Sequence, residues 1–492
     1  MLNFKKMKYS KYITLFFLIF SLHSCSDFLE QEPGTQTSID ELLQNKKGVL
    51  TALTGLYTEL EANTRGERFA VYADLQGGNL KFTPLATGSN RGQVDPAINT
   101  KKVYSFEDDA LASDYRMFYD GSYDIINQAN LILEFTPALK DATETEKNQI
   151  MAEALTIRAY THFLLSLVYS QDYGYTTDAS HLGIAYVTKS IKQGLQYPAR
   201  ETAANTYNLI ISDLKTAITN YSENSLLTGP SYSFFNQNSA KAILSRVYLQ
   251  KKDWTNAYET ANDVIINSGV TLTAKENLIS EWEKTDLPVS EILLEFSVKK
   301  DSEGIVGGSM SQNFGYTSAT SFQKYVASND LVNLYEPNDL RKQLFLEKPL
   351  STLVNGVIND RNYNFTKKFQ DNPGYVACRL SEMYLIRAEA AFETNRPDLA
   401  IADLNIIRAR ANATLATNSA NFKDDILLER RKELCFEGHL FFDLVRNHKD
   451  ISRNDGCIST NCSMSYPSLK FVLPIPTFNT NLNPNLKQNE SY

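Results

Sequence analysis

The sequence predicts a mainly α protein. About four tetratricopeptide-like helix pairs form a scaffold, and a loop-rich subdomain carries minor β-structure. Three observations point there: apolar residues recur at helical spacing, short polar turns separate partner stretches, and long runs rich in Gly, Ser, Asn and Thr interrupt the pattern. The chain has 492 residues, 42% hydrophobic and 11% aromatic, enough for a large core and too aromatic for disorder. A net charge of −8 would repel phosphates on average, so no nucleic-acid partner is expected.

The N-terminus reads as an export leader. Lys5, Lys6, Lys8 and Lys11 precede an uncharged apolar run over residues 13–22. As a helix that run spans about 15 Å, half of the hydrocarbon core, which suits a signal peptide over residues 1–24 and not a stable anchor. Leu22-His23-Ser24-Cys25 follows and is similar to a bacterial lipobox, with Cys25 as the lipidated residue; His23 replaces the usual small residue. Several acyl chains on Cys25 would hold the mature protein on a membrane with its body in water.

In chain order, the first helix pair is expected across 42–135 and the second across 151–221. The third, 238–268, is the clearest. Ala242, Ile243, Val247 and Leu249 line one helix, residues 251–254 break it, and Ala257, Ala261, Val264 and Ile265 line the next. Trp254 reads as a packing residue at that helix start. Residues 291–298 alternate like a strand. The fourth pair, 380–412, places Pro397 at a first helical position, where its missing N–H costs nothing. Units of about 34 residues that bury faces only against neighbours form the tetratricopeptide pattern, here degenerate and interrupted. The interruptions, 77–102, 171–200 and 304–325, are long enough to be functional or mobile.

Few motifs carry chemistry. Glu429, Glu433 and Glu437 recur every fourth residue and would share a helix face, an arrangement that needs cations. Arg408, Arg410, Arg430, Arg431 and Arg446 are available, which favours a structural charge network over a catalytic carboxylate pair. His162 and His439 read as packing histidines. Cys378 and Cys435 fall in apolar patterns and read as buried thiols; Cys457 and Cys462 are close enough for a short-loop disulfide, and two free thiols remain open. No Cys or His set stands at ligand spacing, so no metal and no cofactor are expected.

Several stretches together resemble the SusD/RagB family of outer-membrane lipoproteins. They are residues 25–30, the Ala152-Glu153-Ala154 to Arg158-Ala159-Tyr160 helix, the Ala240-Lys241-Ala242 to Trp254 unit and residues 380–390. To these add 429–438 continuing to Phe442-Asp443-Leu444-Val445-Arg446, the Pro474-Ile475-Pro476 segment and 483–489, within a C-terminal signature over 424–489. The acidic residue expected between Pro476 and Asn483 is missing, and Ser491-Tyr492 replaces a final Gly-Tyr. The resemblance implies a non-catalytic, cell-surface lipoprotein of a single domain over 25–492. It would capture a glycan and pass it to a SusC-like TonB-dependent outer-membrane transporter. Capture of peptides or glycopeptides, or a protein-only adaptor role, are the alternatives.

Sugar capture needs flat apolar faces with amides or carboxylates at the rim. The ligand-face loops are taken as 77–102, 225–237 and 304–325. Residues of suitable type are Asn79, Phe82 and Asn90 in the first, and Tyr232, Phe234 and Asn236 in the second. Asn313, Phe314 and Tyr316 rank highest, in the third, where the resemblance implies an aromatic platform.

Overall fold

The computed structural model describes residues 38–492 other than 66, 68, 96–99, 195, 223–225, 285–289, 297–309 and 370–373, so the leader and Cys25 lie outside the described residues. Four helix pairs run through it: α1 (Lys46–Thr64) with α2 (Arg116–Phe135), α3 (Glu144–Tyr169) with α4 (Ala203–Asn220), α5 (Gln237–Lys251) with α6 (Trp254–Asn267), and α7 (Leu380–Glu393) with α8 (Pro397–Arg410). Each pair also packs on the next, α2 on α3, α4 on α5 and α6 on α7, so the apolar faces form one continuous core.

Local chemistry sets the helix ends. Thr143 and Glu146 close a capping box at the start of α3. Asn236 accepts from the N–H groups of Asn238 and Ser239 to start α5, and Pro397 opens α8. Ala257 and Ala261 on α6 are fully buried, and such small side chains let α5 and α6 approach closely. Trp254 is half-buried against the core.

Two arginines tie the pairs in matching ways. Arg158 of α3 donates twice to Asp213 of α4, at 2.8 and 2.9 Å, and once to Asn130 of α2 at 2.8 Å. Arg387 of α7 donates to Asp403 of α8 at 2.8 and 2.6 Å and to Asn262 of α6 at 2.6 Å. A planar guanidinium with five donors can hold three helices in this way, where an ammonium could not.

The β-structure is richer than the spacing suggests. A four-stranded antiparallel sheet has the order β1 (Leu80–Phe82), β5 (Tyr325–Ala327), β7 (Val357–Thr366), β6 (Phe345–Val354). Between β1 and β5 in sequence come β2 (Ile292–Phe296) and the short hairpin β3 (Tyr316–Ser318) and β4 (Ser321–Phe322). The strand expected at 291–298 is β2, but it is buried on both faces and pairs with β8 (Tyr375–Arg379). The long β6–β7 hairpin turns at Asn355-Gly356, both at positive φ (52° and 81°), as a two-residue hairpin turn requires.

The loop over 171–200 is sewn down. Buried Arg200 donates to the carbonyls of Tyr169, Leu182, Gly183 and Lys487 and to the Asn489 side chain. Asn489 returns bonds to the Tyr169 and Leu473 carbonyls, so the C-terminal signature fastens this loop to α3. Cys457 and Cys462 form a disulfide, while Cys378 and Cys435 are buried thiols.

The glutamate row lies in a buried ion network. Only Glu429 and Glu433 belong to a helix, α9 (Phe422–Glu433); Glu437 follows it, so the three do not share one helix face as expected. Glu429 accepts from Arg341 at 2.6 Å and Arg408 at 3.0 Å. Glu433 accepts from Arg341, Arg379 and Arg410 at 2.8, 2.8 and 2.5 Å. Glu437 accepts from Lys368 at 2.8 Å and Arg379 at 2.7 Å. Glu291, just before β2, takes both Arg379 and Arg410. Of the cations foreseen, Arg408 and Arg410 serve the row. Arg430 and Arg446 pair with Asp443, Arg446 also with Glu389, and Arg431 donates to Asn79. Burial opposes ionisation of Glu433, yet Arg410, Arg379 and Arg341 hold its carboxyl well below the usual range.

Both histidines are packing residues. Burial lowers His162 to about 3 and His439 to about 4. His162 stacks on Tyr186 at 3.8 Å and accepts from the Val187 N–H at 3.1 Å.

Two predictions test this packing. Arg379→Met strands Glu291, Glu433 and Glu437 with fewer cations and should destabilise by about 3–5 kcal/mol in urea unfolding. Lys449→Met at the surface should change stability by less than about 0.5 kcal/mol.

The second concerns Glu153, which accepts from Tyr57 Oη at 2.7 Å and Gln149 at 2.8 Å and is pushed by burial to about 7. Its folded carboxyl holds its proton more tightly than the unfolded one. Stability from this group is therefore full at acid pH and is lost as pH rises toward 7. Glu153→Gln removes that loss. The stability difference, variant minus parent, should grow by about 2–3 kcal/mol between pH 5 and pH 8 in urea titrations, and a constant difference would reject the assignment.

Candidate ligand-binding face

The described parts of the loops over 77–102 and 304–325 converge. β1 pairs with β5 in the register Leu80↔Ala327, Lys81↔Val326, Phe82↔Tyr325. The pairing extends outward, with the Thr83 N–H donating to the Lys324 carbonyl at 2.9 Å and the Thr83 hydroxyl to that of Gln323 at 2.9 Å. Beyond it the chain folds back, with the Gly92 N–H donating to Leu85 O at 2.8 Å. The Leu353 N–H then donates to Gly92 O at 2.7 Å, which fastens this loop near the β6–β7 tip. A Cβ at position 92 would meet the Leu353 nitrogen at 3.1 Å, so the close approach asks for glycine.

The β3–β4 hairpin lies over this sheet. Tyr316 meets Phe365 at 4.9 Å and Phe322 meets it at 6.1 Å; both keep part of their rings in solvent. Underneath, Val326, Leu350, Tyr363 and Phe365 make a small apolar cluster of their own. Lys348 stands 5.6 Å over the Tyr316 ring and Lys81 5.1 Å over Tyr363.

Beside the sheet opens a cleft of about 550 Å3, lined by Glu67, Thr100, Ser113, Asp114 and Arg116, while the Tyr115 and Phe118 side chains at its wall are buried in the core. Glu67 joins it to the sheet by accepting from Lys324 at 2.7 Å and from Tyr325 Oη at 3.0 Å. Its carboxylates, hydroxyls and guanidinium can bond sugar hydroxyls, while the half-exposed rings of Tyr316 and Phe322 can cover C–H faces.

The expected site residues divide sharply. Tyr316 and Asn90 stay at the converged loops with side chains reachable from solvent. Phe314 does not, despite its rank. It is fully buried at the end of the single-turn helix Ser311–Phe314, 5.7 Å from Phe436 and 6.4 Å from Phe369, and Asn313 is buried with it. Asn79 and Phe82 are buried and do not reach the face either. Asn79 is buried between Asp74, to which it donates at 2.7 Å, and Arg431, from which it accepts at 2.9 Å. Phe82 lies in β1 with its ring edge-on to Tyr104 at 4.9 Å. The group at 232–236 lies elsewhere. Phe234 packs on Tyr57 at 5.1 Å, half-buried Tyr232 rests on the core, and Asn236 is the α5 cap. Phe322, Lys348, Glu67 and Arg361 were not singled out from the sequence. Asn355-Gly356 between alternating residues was the signal that could have revealed the β6–β7 hairpin of Lys348 and Arg361.

A stack of helix pairs that presents an aromatic hairpin beside an open polar cleft is the architecture of a binding scaffold. Comparison with known proteins names its kind. The model of the SusD family matches residues 347–492, and a second, described as starch-binding and associating with the outer membrane, matches residues 27–249. A SusD-like protein of Formosa agariphila is 23% identical, aligned over 89% of this chain and 90% of that protein. One of Bacteroides ovatus is 23% identical over 74% of this chain and 71% of that one. The fold matches the crystal structure of a SusD superfamily protein from Bacteroides thetaiotaomicron with a TM-score of 0.76 and 25% identity, covering 92% of this chain and all of that one. It matches a putative sugar-binding protein from Bacteroides vulgatus with a TM-score of 0.75 and 25% identity, covering 91% and 99%. The chain belongs to the SusD/RagB family.

The burial pattern separates scaffold from face. Phe314→Ala should cost about 3–5 kcal/mol in unfolding, as other buried Phe truncations do, whereas Tyr316→Ala should cost less than about 1.5 kcal/mol. Equal costs in thermal and urea unfolding would contradict the assignment.

Proposed function

We propose that this protein is a cell-surface glycan-binding lipoprotein. It is anchored through Cys25 and captures oligo- or polysaccharide for a SusC-like TonB-dependent transporter of the outer membrane. The observation that carries the reading is the convergence of two loops on Tyr316 and Phe322 beside the cleft lined by Glu67, Ser113, Asp114 and Arg116. Family membership and a family described as starch-binding and outer-membrane associated support it. No helix among the described residues is long and apolar enough to cross a membrane, which is compatible with attachment through lipid.

The role is binding and not turnover. The carboxylates that most suggest catalysis, Glu429, Glu433 and Glu437, are buried and occupied by cations. Among the described residues the ligand face is held by strand pairing, which limits the ordering entropy lost on binding.

Affinity electrophoresis of the chain from Ser26 onward, in gels containing a panel of polysaccharides, tests the reading. At least one polymer should retard the protein, and a Tyr316→Ala/Phe322→Ala double variant should migrate freely. Mobility unchanged across the panel, or retardation that survives the double variant, would sink it and favour peptide capture or an adaptor role.

A further inference from the structure

The β6–β7 hairpin sorts its charges by face. Side chains alternate along a strand, and the register Lys348↔Tyr363, Leu350↔Arg361 puts Leu346, Lys348, Leu350 and Thr352 on the same side as Phe365, Tyr363 and Arg361. Contacts agree: Leu350, Tyr363 and Phe365 share one apolar cluster, and the Thr352 and Tyr363 hydroxyls lie 3.1 Å apart. The other side carries Glu347, which accepts from Asn362 at 2.8 Å, and Asp360, which accepts from Ser351 at 3.2 Å. Both acids of the hairpin therefore face away from Tyr316 and both cations face toward it.

Other charges on the Tyr316 side do not cancel that bias. Lys81 is answered by Asp455 at 2.7 Å and Lys324 by Glu67 at 2.7 Å. Lys348 and Arg361 have no ion-pair partner among the described residues. Lys348 is half-buried over Tyr316, and Arg361 is exposed one diagonal position away. On a chain of net charge −8, two unanswered cations beside a pair of half-exposed rings form a local exception.

Resting on the glycan-binding reading above, we infer that the sugar taken by this face is anionic, bearing carboxylate or sulfate groups. Tyr316 and Phe322 cover its C–H surface. Lys348 supplies a point charge that stays mobile over the ring, and Arg361 supplies a planar fork that matches a carboxylate or sulfate edge. A neutral sugar would leave the attraction of both cations unused.

The experiment compares polygalacturonate, a sulfated galactan and neutral amylopectin by affinity electrophoresis, followed by calorimetry on the polymer that retards the protein most. The parental chain should bind a charged polymer in preference to amylopectin, and more weakly as salt rises. Lys348→Gln/Arg361→Gln should weaken that binding by about tenfold or more, in line with the loss of charge-assisted bonds. Glu347→Gln/Asp360→Asn, on the opposite side, should bind no more weakly than the parent. Whichever charged polymer prevails separates carboxylate from sulfate recognition. If amylopectin binds as well as either, and Lys348→Gln/Arg361→Gln leaves binding intact while Tyr316→Ala/Phe322→Ala abolishes it, the anionic class is overturned and glycan capture stands. If none of the three polymers nor a wider panel is bound, both fall.

Discussion

The buried ion network around Glu433 is the constraint on which the rest of the structure depends. Arg379 reaches it from β8, Arg410 from the last turn of α8, Arg341 from the segment before β6 and Lys368 from just after β7. The helical stack and the sheet subdomain thus meet at a few carboxylates that cannot be solvated by water. Removing one partner leaves a buried charge without an answer, which is far costlier than the net worth of any single pair. Such a junction therefore specifies one arrangement of sheet on helices more than it adds stability.

Rigidity at that junction carries outward to the ligand face. Asn79 takes the Arg431 guanidinium from α9 while its backbone carbonyl accepts from Ser328, so β1 and β5 are registered against the helix that carries Glu429 and Glu433. From those strands hang the 85–92 loop and the β3–β4 hairpin. Arg200 does the same for 171–200, using the C-terminal tail as its partner. Backbone carbonyls that regular structure leaves unpaired are here satisfied by single guanidinium groups, which is why long irregular segments can lie folded on the scaffold. Arg158 and Arg387 use the same fork on side-chain carboxylates and amides, to tie neighbouring helices.

Much of this was legible in the residues. Apolar spacing located all four helix pairs because each pair buries a stripe against its neighbour, and periodicity reports burial directly. The glutamate row was readable as structural because three like charges demand cations. The face was harder. Phe314 and Tyr316 are two residues apart in a loop-like sequence, yet one is core and the other reaches solvent. Only the single-turn helix at Ser311–Phe314 makes that difference. Phe82 looked like a loop residue because a three-residue strand is too short to show alternation, and Asn79 lies in a true bend whose burial only the packing decides.

What the sequence determined by itself is the helical scaffold, the need to neutralise the glutamate row and the family resemblance, since each depends on spacing along the chain. Tertiary structure decided which cations serve the row, which aromatics face solvent and which side of the β6–β7 hairpin is basic. Arg341 and Arg379 are 92 and 54 residues from Glu433. Lys348 acquires Tyr316 as a neighbour only once the β3–β4 hairpin folds over the sheet. Charge pairing and ring exposure depend on distance in space, and between elements that distance is set by how the helices and strands pack, not by their separation along the chain.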